Sequence, residues 1–202
     1  MIERFLTQTK FSSVEDYKEN LHFIIPDNFN FAYDVMDAWA AEEPDKLALL
    51  WTDDEDNCLR FTFGDLKEQS DRAASYFQTL GIGRGDVVML ILKRRYEFWL
   101  SMLALHKIGA VAVPATHMLT THDIVYRNNR ADVKAIICVG EEYVLTQVEG
   151  SMKDSPSLKT LISIGPEVPE GFHDWHKEWT GAPQFVRPEH VSDNDDTMLM
   201  YF

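Results

Sequence analysis

The chain has 202 residues, 45% of them hydrophobic and 26% charged, enough for one large or two small domains with a substantial core. A formal net charge of -14 and a sequence pI near 4.8 exclude a phosphate backbone or an anionic membrane surface as natural partners, since both demand lysine and arginine. No targeting signal is read in "MIERFLTQTK", and the longest apolar runs, such as "VVMLIL", are far too short to span a bilayer.

Residues 1–31 read as a leader segment. Ser12 followed by Glu15 predicts a capping box and a short helix through about His22, and the turn-rich "IIPDNFNF" follows. From residue 32 the pattern becomes regular, so residues 32–202 read as an α/β unit. "YDVMDAWAAEEP" predicts a helix closed by Pro44. "LALLWT" and "LRFTF", joined by the acidic turn "DDEDN", predict a β-hairpin. Thr62 and Asp65 cap the next helix, in which Leu66, Ser70, Ala73, Ala74, Phe77 and Leu80 recur at helical spacing.

"VVMLIL" (87–92) is apolar without alternation, which suits a parallel strand covered on both faces. The stretch 96–108 is apolar almost all round and predicts a buried helix stopped by Gly109. "AVAVP" is the next strand, and Thr120 with Asp123 caps a helix to about Asn129. "AIICV" (135–139), "LISI" (161–164) and a final buried strand, "TMLMYF", complete the pattern. Strands alternating with helices imply right-handed crossovers. The predicted fold is α/β, a mainly parallel doubly wound sheet with helices on both faces plus an N-terminal β-hairpin.

Several stretches invite chemistry. "GIGRGD" (81–86) contains the glycines of a nucleotide loop, but they follow a helix and precede a strand. The dinucleotide fingerprint needs the reverse order, so Gly81 reads as a helix C-cap and Gly83 and Gly85 as a turn. That order also excludes a nicotinamide-dependent oxidoreductase, and no GxxxxGK[ST] phosphate loop occurs. "KRR" (93–95) ends a predicted parallel strand, at the edge where open α/β sheets bind ligands, yet a solvated turn explains it as well. "HDWH" (173–176) reads as a surface loop and "DNDD" (193–196) as a polar turn rather than metal sites. "ATHMLTTHD" (115–123) lies between a strand and a capped helix at the same ligand edge. Thr116, His117 and Met118 are therefore candidate ligand contacts, against the plainer reading of a loop and a cap. Cys58 and Cys138 lack metal or redox spacing and read as buried free thiols in a reducing cytoplasm. No Ser/His/Asp arrangement, paired carboxylate or metal cluster stands out, so the residues assign no catalytic group.

In linear order, "FNFAYDVMDAWAAEEPDKLALLW", "FTFGDLKEQSDRAASYFQTLGIGRGDVVMLIL" and "RRYEFWLSMLALHKIGAVAVPAT" resemble the N-terminal part of AMP-forming acyl-CoA synthetases of the adenylate-forming superfamily. The acetyl- and medium-chain branches are the most similar, and the likeness runs from about Phe29 to Phe202. Thr62-x-x-Asp65-Leu66, Gly83-Arg84-Gly85-Asp86, Gly109-Ala110-Val111 closed by Pro114, "DIVYR" and "AIICV" carry it. The resemblance implies a partial large domain of a ligase that joins a small carboxylic acid to CoA through an acyl-adenylate, using ATP and Mg²⁺, in fatty acid metabolism. It also implies that the phosphate loop, the acyl and adenine pockets and the catalytic lysine lie beyond "TMLMYF". On that reading the chain alone is inactive, binds no cofactor tightly and self-associates through its truncated face. A medium-chain-type CoA loop falls on Thr116, His117 and Met118, where Met118 replaces a polar side chain. The alternative is a free-standing non-catalytic module that binds a protein partner.

Overall fold

The computed structural model describes residues 2–202. The leader helix α1 spans Val14–Asn20, and its cap sits one residue later than the sequence suggests. Ser13 Oγ accepts the Asp16 amide at 3.1 Å, while the Asp16 carboxylate reaches back to the Ser12 amide at 2.7 Å. A π-helical stretch, Ala32–Asp37, runs into α2 (Ala38–Glu42). Strands β1 (Leu47–Thr52) and β2 (Cys58–Thr62) pair antiparallel as the predicted hairpin. Cys58 is exposed, contrary to the buried-thiol reading, because it opens β2 on the uncovered side of this two-stranded sheet. Cys138 is buried, and burial pushes its thiol up to about 12, leaving it inert.

Helix α3 (Phe63–Thr79) begins with the full Thr62–Asp65 capping box. Then follow β3 (Val87–Ile91), α4 (Glu97–Lys107), β4 (Val111–Pro114), α5 (Thr121–Ala131), β5 (Val133–Val139), α6 (Glu142–Ser151), β6 (Thr160–Ile164), the two-residue β7 (His173–Asp174) and α7 (Trp175–Glu178). The capping box of α5 is the predicted Thr120–Asp123 pair. Strand order is β4-β3-β5-β6-β7, all parallel, with Val87–Leu90 paired on both sides. The direction of winding reverses at β3: the chain steps one way to β4, then back across to β5. Right-handed crossovers then put α4 on one face and α5 and α6 on the other. The helix pairs agree, with α3 packed on α4 and α5 on α6. Val88, Met89, Leu90, Ala135, Ile136 and Ile137 are wholly buried between the layers.

Two further expectations need correction. "HDWH" is not a surface loop. His173 and Asp174 extend the sheet beside Ile162 and Ser163, and Trp175 is fully buried, stacked on Trp179 with ring centroids 5.5 Å apart. The large apolar ring between two polar histidines draws the segment onto the core. "TMLMYF" is not a buried strand either. Residues 197–202 run parallel to β4 at the open edge of the sheet through one bridge, Ala112 with Leu199. At an edge only one flank pairs, so Leu199, Tyr201 and Phe202 stay 39%, 71% and 48% exposed.

The first residues are tied to this unit. Asn30 Nδ2 donates to the His106 carbonyl at 2.8 Å, the Phe29 amide donates to Asn194 Oδ1 at 2.9 Å, and Arg4 pairs with Glu42.

Candidate functional site

In an open parallel sheet, ligands gather beyond the carboxyl ends of the strands, at the point where the winding reverses. Here that point lies between the loops after β3 and β5. The "KRR" turn leaves β3 and contributes Lys93, held in the left-handed region at φ 51. Its ammonium pairs with Glu141, which starts the loop into α6, so an ion pair spans the switch point. The Arg94 carbonyl accepts from Trp51 Nε1 at 2.6 Å, which anchors the hairpin against the same turn. The segment is thus a braced turn with three cations, more ordered than a solvated connection.

The loops after β5 and β6 close tightly on each other. A side chain at Gly140 would place its Cβ 2.5 Å from the Glu167 carbonyl and 2.9 Å from Ser163 Oγ, so only glycine fits there. Ser163 Oγ donates to the Glu167 carbonyl at 2.6 Å and holds the turn. The Arg95 guanidinium lies beside Gly165.

Under these loops sits a group the sequence did not single out. Glu97, first residue of α4, is 1% exposed, and its Oε2 has no hydrogen-bond partner. Burial raises its carboxyl above the ordinary carboxylate range, while Arg95 and His176 pull the other way. His176 Nε2 approaches Glu97 Oε1 at 3.6 Å. The neighbouring Tyr96 hydroxyl is pushed up to about 12, mainly by burial and further by Glu97. The one signal in the sequence was a lone carboxylate at the head of an otherwise apolar helix.

Thr116, His117 and Met118 sit together in the loop between β4 and α5, at the same edge but outside the switch point. Thr116 is exposed and His117 half-buried; Met118 is 69% exposed, and its amide donates to Thr116 Oγ1 at 3.3 Å. The loop is fixed at its far end by the Thr120 cap and by Thr121, whose amide donates to Gln147 Oε1 on α6 at 2.8 Å. The three residues form an accessible lip with an apolar tip. Chemically it can take a thioether-to-alkyl contact and hydroxyl or imidazole hydrogen bonds. The turn at Lys93–Arg95 can attract an anion. Among the described residues no three His, Cys, Asp or Glu side chains converge as a metal site would require. The "DNDD" turn instead folds on itself and onto Arg84. The glycines of "GIGRGD" lie at the opposite, amino-terminal edge, where Gly85 donates to the Gly109 carbonyl at 2.8 Å. No helix of the described residues is long and apolar enough to cross a membrane.

The family model for AMP-binding enzymes matches residues 36–202. The chain is 32% identical over 187 residues to human acyl-coenzyme A synthetase ACSM4, mitochondrial, covering 88% of this chain and 31% of that protein. It is 36% identical over 208 residues to mouse acyl-coenzyme A synthetase ACSM3, mitochondrial, covering 98% of this chain and 35% of that protein. The anthranilate CoA ligase AuaEII, solved with anthranoyl-AMP, superposes with a TM-score of 0.76 at 21% identity over 87% of this chain and 32% of its own, a likeness of fold. The chain spans about a third of the length of the curated relatives it matches.

Proposed function

Because the chain belongs to the AMP-binding enzyme family, we propose that it forms the N-terminal part of an AMP-forming carboxylate–CoA ligase. The proposed reaction takes a small carboxylic acid, ATP and CoA to an acyl-CoA, AMP and pyrophosphate. The match of residues 36–202 to the family carries this reading. In this reading residues 1–31 are a leader and 32–202 an incomplete α/β subdomain, a division that the start of the family match near residue 36 supports.

What these residues can hold fits CoA better than it fits a catalytic centre. The lip at Thr116, His117 and Met118 is exposed and braced, and Met118 offers an apolar surface to the alkyl part of a pantetheine arm. CoA, when bound, supplies the thiol; the chain's own contribution is to line its path and set its orientation. Mg²⁺ finds no donor set among the described residues, and no step is assigned to it. The free thiols of Cys58 and Cys138 fit a reducing compartment, cytoplasmic in this reading. A reducing mitochondrial matrix, suggested by the names of the relatives, fits the same thiols.

The experiment is to express the whole reading frame that contains this sequence beside the 202-residue chain. Carboxylate-dependent ATP–pyrophosphate exchange and acyl-CoA formation are measured with acetate, butyrate and octanoate. The expected result is activity of the whole frame with at least one acid and none from the chain alone. Silence from both, with a reading frame that stops after Phe202, would favour a non-catalytic binding module instead.

A further inference from the structure

We propose that Arg84, together with Asp193 and Asp196, is a positioning latch that fixes an edge strand against β4 and so delivers Tyr201 and Phe202 to the carboxyl edge of the sheet. This rests on the reading of that edge as the ligand side.

The latch is built from rigid parts. Arg84 sits in the Gly83–Gly85 turn ahead of β3. The Gly83 amide donates to Asp86 Oδ2 at 2.8 Å, Asp86 pairs with Lys134 of β5 at 2.7 Å, and the Gly85 amide bonds the Gly109 carbonyl. From this base the guanidinium reaches two carboxylates. Nη2 donates to Asp193 Oδ2 at 2.8 Å and to Asp196 Oδ2 at 2.7 Å, and Nε donates to Asp196 Oδ2 at 3.0 Å. The two aspartates also close a turn on each other, through the Asp193 amide to Asp196 Oδ2 at 2.9 Å and the Asp196 amide to the Asp193 carbonyl at 3.0 Å. Just before it, Ser192 is buried beside Asn30, and Val191 is pressed onto Gly109.

What the latch holds has little hold of its own. Two residues beyond Asp196, the Ala112 amide donates to the Met198 carbonyl at 3.1 Å and the Met200 amide donates to the Ala112 carbonyl at 2.9 Å. A single residue of β4 is straddled; Met200 packs part-buried against the core, while Leu199, Tyr201 and Phe202 are exposed. Such a pairing specifies its register weakly, and a one-residue slip would exchange the faces of Leu199, Met200 and Tyr201. The charged turn at its start removes that freedom. Because the strand runs parallel to β4, it emerges at the carboxyl edge, where the Phe202 ring meets Tyr126 of α5 edge-on at 6.4 Å.

The test is amide hydrogen exchange, read residue by residue, on the 202-residue chain and its Arg84→Ala and Arg84→Lys variants. Protection of Ala112 and Met200 is expected to fall about fivefold in Arg84→Ala and less in Arg84→Lys, with Met89 and Ile136 unchanged. The Tyr126–Phe202 ring contact should weaken in parallel. Unchanged protection of Ala112 and Met200 in Arg84→Ala overturns the proposal. Should Met89 and Ile136 lose protection too, the unmodified chain is read at rising salt. Selective loss at Ala112 and Met200 then supports the latch, and protection indifferent to salt overturns it. These readouts use no ligand, so they stand apart from CoA titration of the whole enzyme, which tests the edge itself.

Discussion

Gly109 and Val191 touch backbone to backbone: a Cβ at position 109 would lie 2.1 Å from the Val191 carbonyl oxygen. Gly109 also occupies the left-handed region, at φ 72, as the stop of α4. Both facts penalise any side chain. Gly109→Ala should destabilise the chain by about 2 kcal/mol or more, from backbone strain plus displacement of the 191–196 segment. Urea unfolding measures it; a change within about 0.5 kcal/mol would mean that the segment yields without cost.

Lys107 has no exposure at all, yet its ammonium lies 2.5 Å from Asp71 and 2.9 Å from Asp37. It joins the π-helical entrance, α3 and α4. Removing the cation leaves Asp71 with Lys67 at 2.6 Å but takes from Asp37 the ammonium that offsets its burial, and burial already raises that carboxyl. Lys107→Met should therefore cost about 3–5 kcal/mol. Adding Asp37→Asn should recover part of the loss, because the stranded charge goes with it. A double variant no better than the single would show that packing, not charge, sets the penalty.

Glu97 gives a pH dependence with a definite sign. Its folded carboxyl titrates above its ordinary value of 4.5, first because it is buried. The folded state thus binds this proton more tightly than the unfolded chain does. That contribution is complete below about 4.5 and is lost as pH rises through the folded value. Glu97→Gln should raise the Tm at pH 8, and the gain should shrink as pH falls towards 4. A gain independent of pH would assign the effect to packing.

The sheet was legible because its central strands are apolar without alternation, a pattern that only two-sided cover explains, and because Thr62–Asp65 and Thr120–Asp123 announce their helices. Helix α6 was not, since Glu141 gives it no side-chain cap and Gly150 interrupts its last turn. The fate of Glu97 depends on His176, which arrives from a distant part of the chain with Trp175. Local spacing cannot report that. The "TMLMYF" run misled for a related reason: apolar composition signals a strand, but whether both flanks are covered depends on its place in the sheet.

Met118 is 69% exposed and makes no side-chain hydrogen bond, so a substitution there should leave stability within about 0.5 kcal/mol. In the whole enzyme, Met118→Glu should raise the KM for CoA by placing a carboxylate in the path of an anionic cofactor. Pyrophosphate exchange without CoA should hardly change. Equal damage to both half-reactions would make the lip a structural element and remove Thr116, His117 and Met118 from the proposed CoA path.

The chain end carries Leu199, Tyr201 and Phe202 on an edge that is paired on one flank only. An apolar edge with free backbone groups recruits another strand, and a second copy of the chain offers one. The isolated 202-residue chain should therefore associate as concentration rises in sedimentation velocity. Leu199→Lys places a charge on that edge without touching the Ala112 hydrogen bonds, which run through the backbone to the Met198 carbonyl and from the Met200 amide. It should shift the chain towards monomer while leaving the Tm nearly unchanged. A chain that stays monomeric at every concentration, with Met200 still protected from exchange, would show that this edge is adequately guarded as it stands.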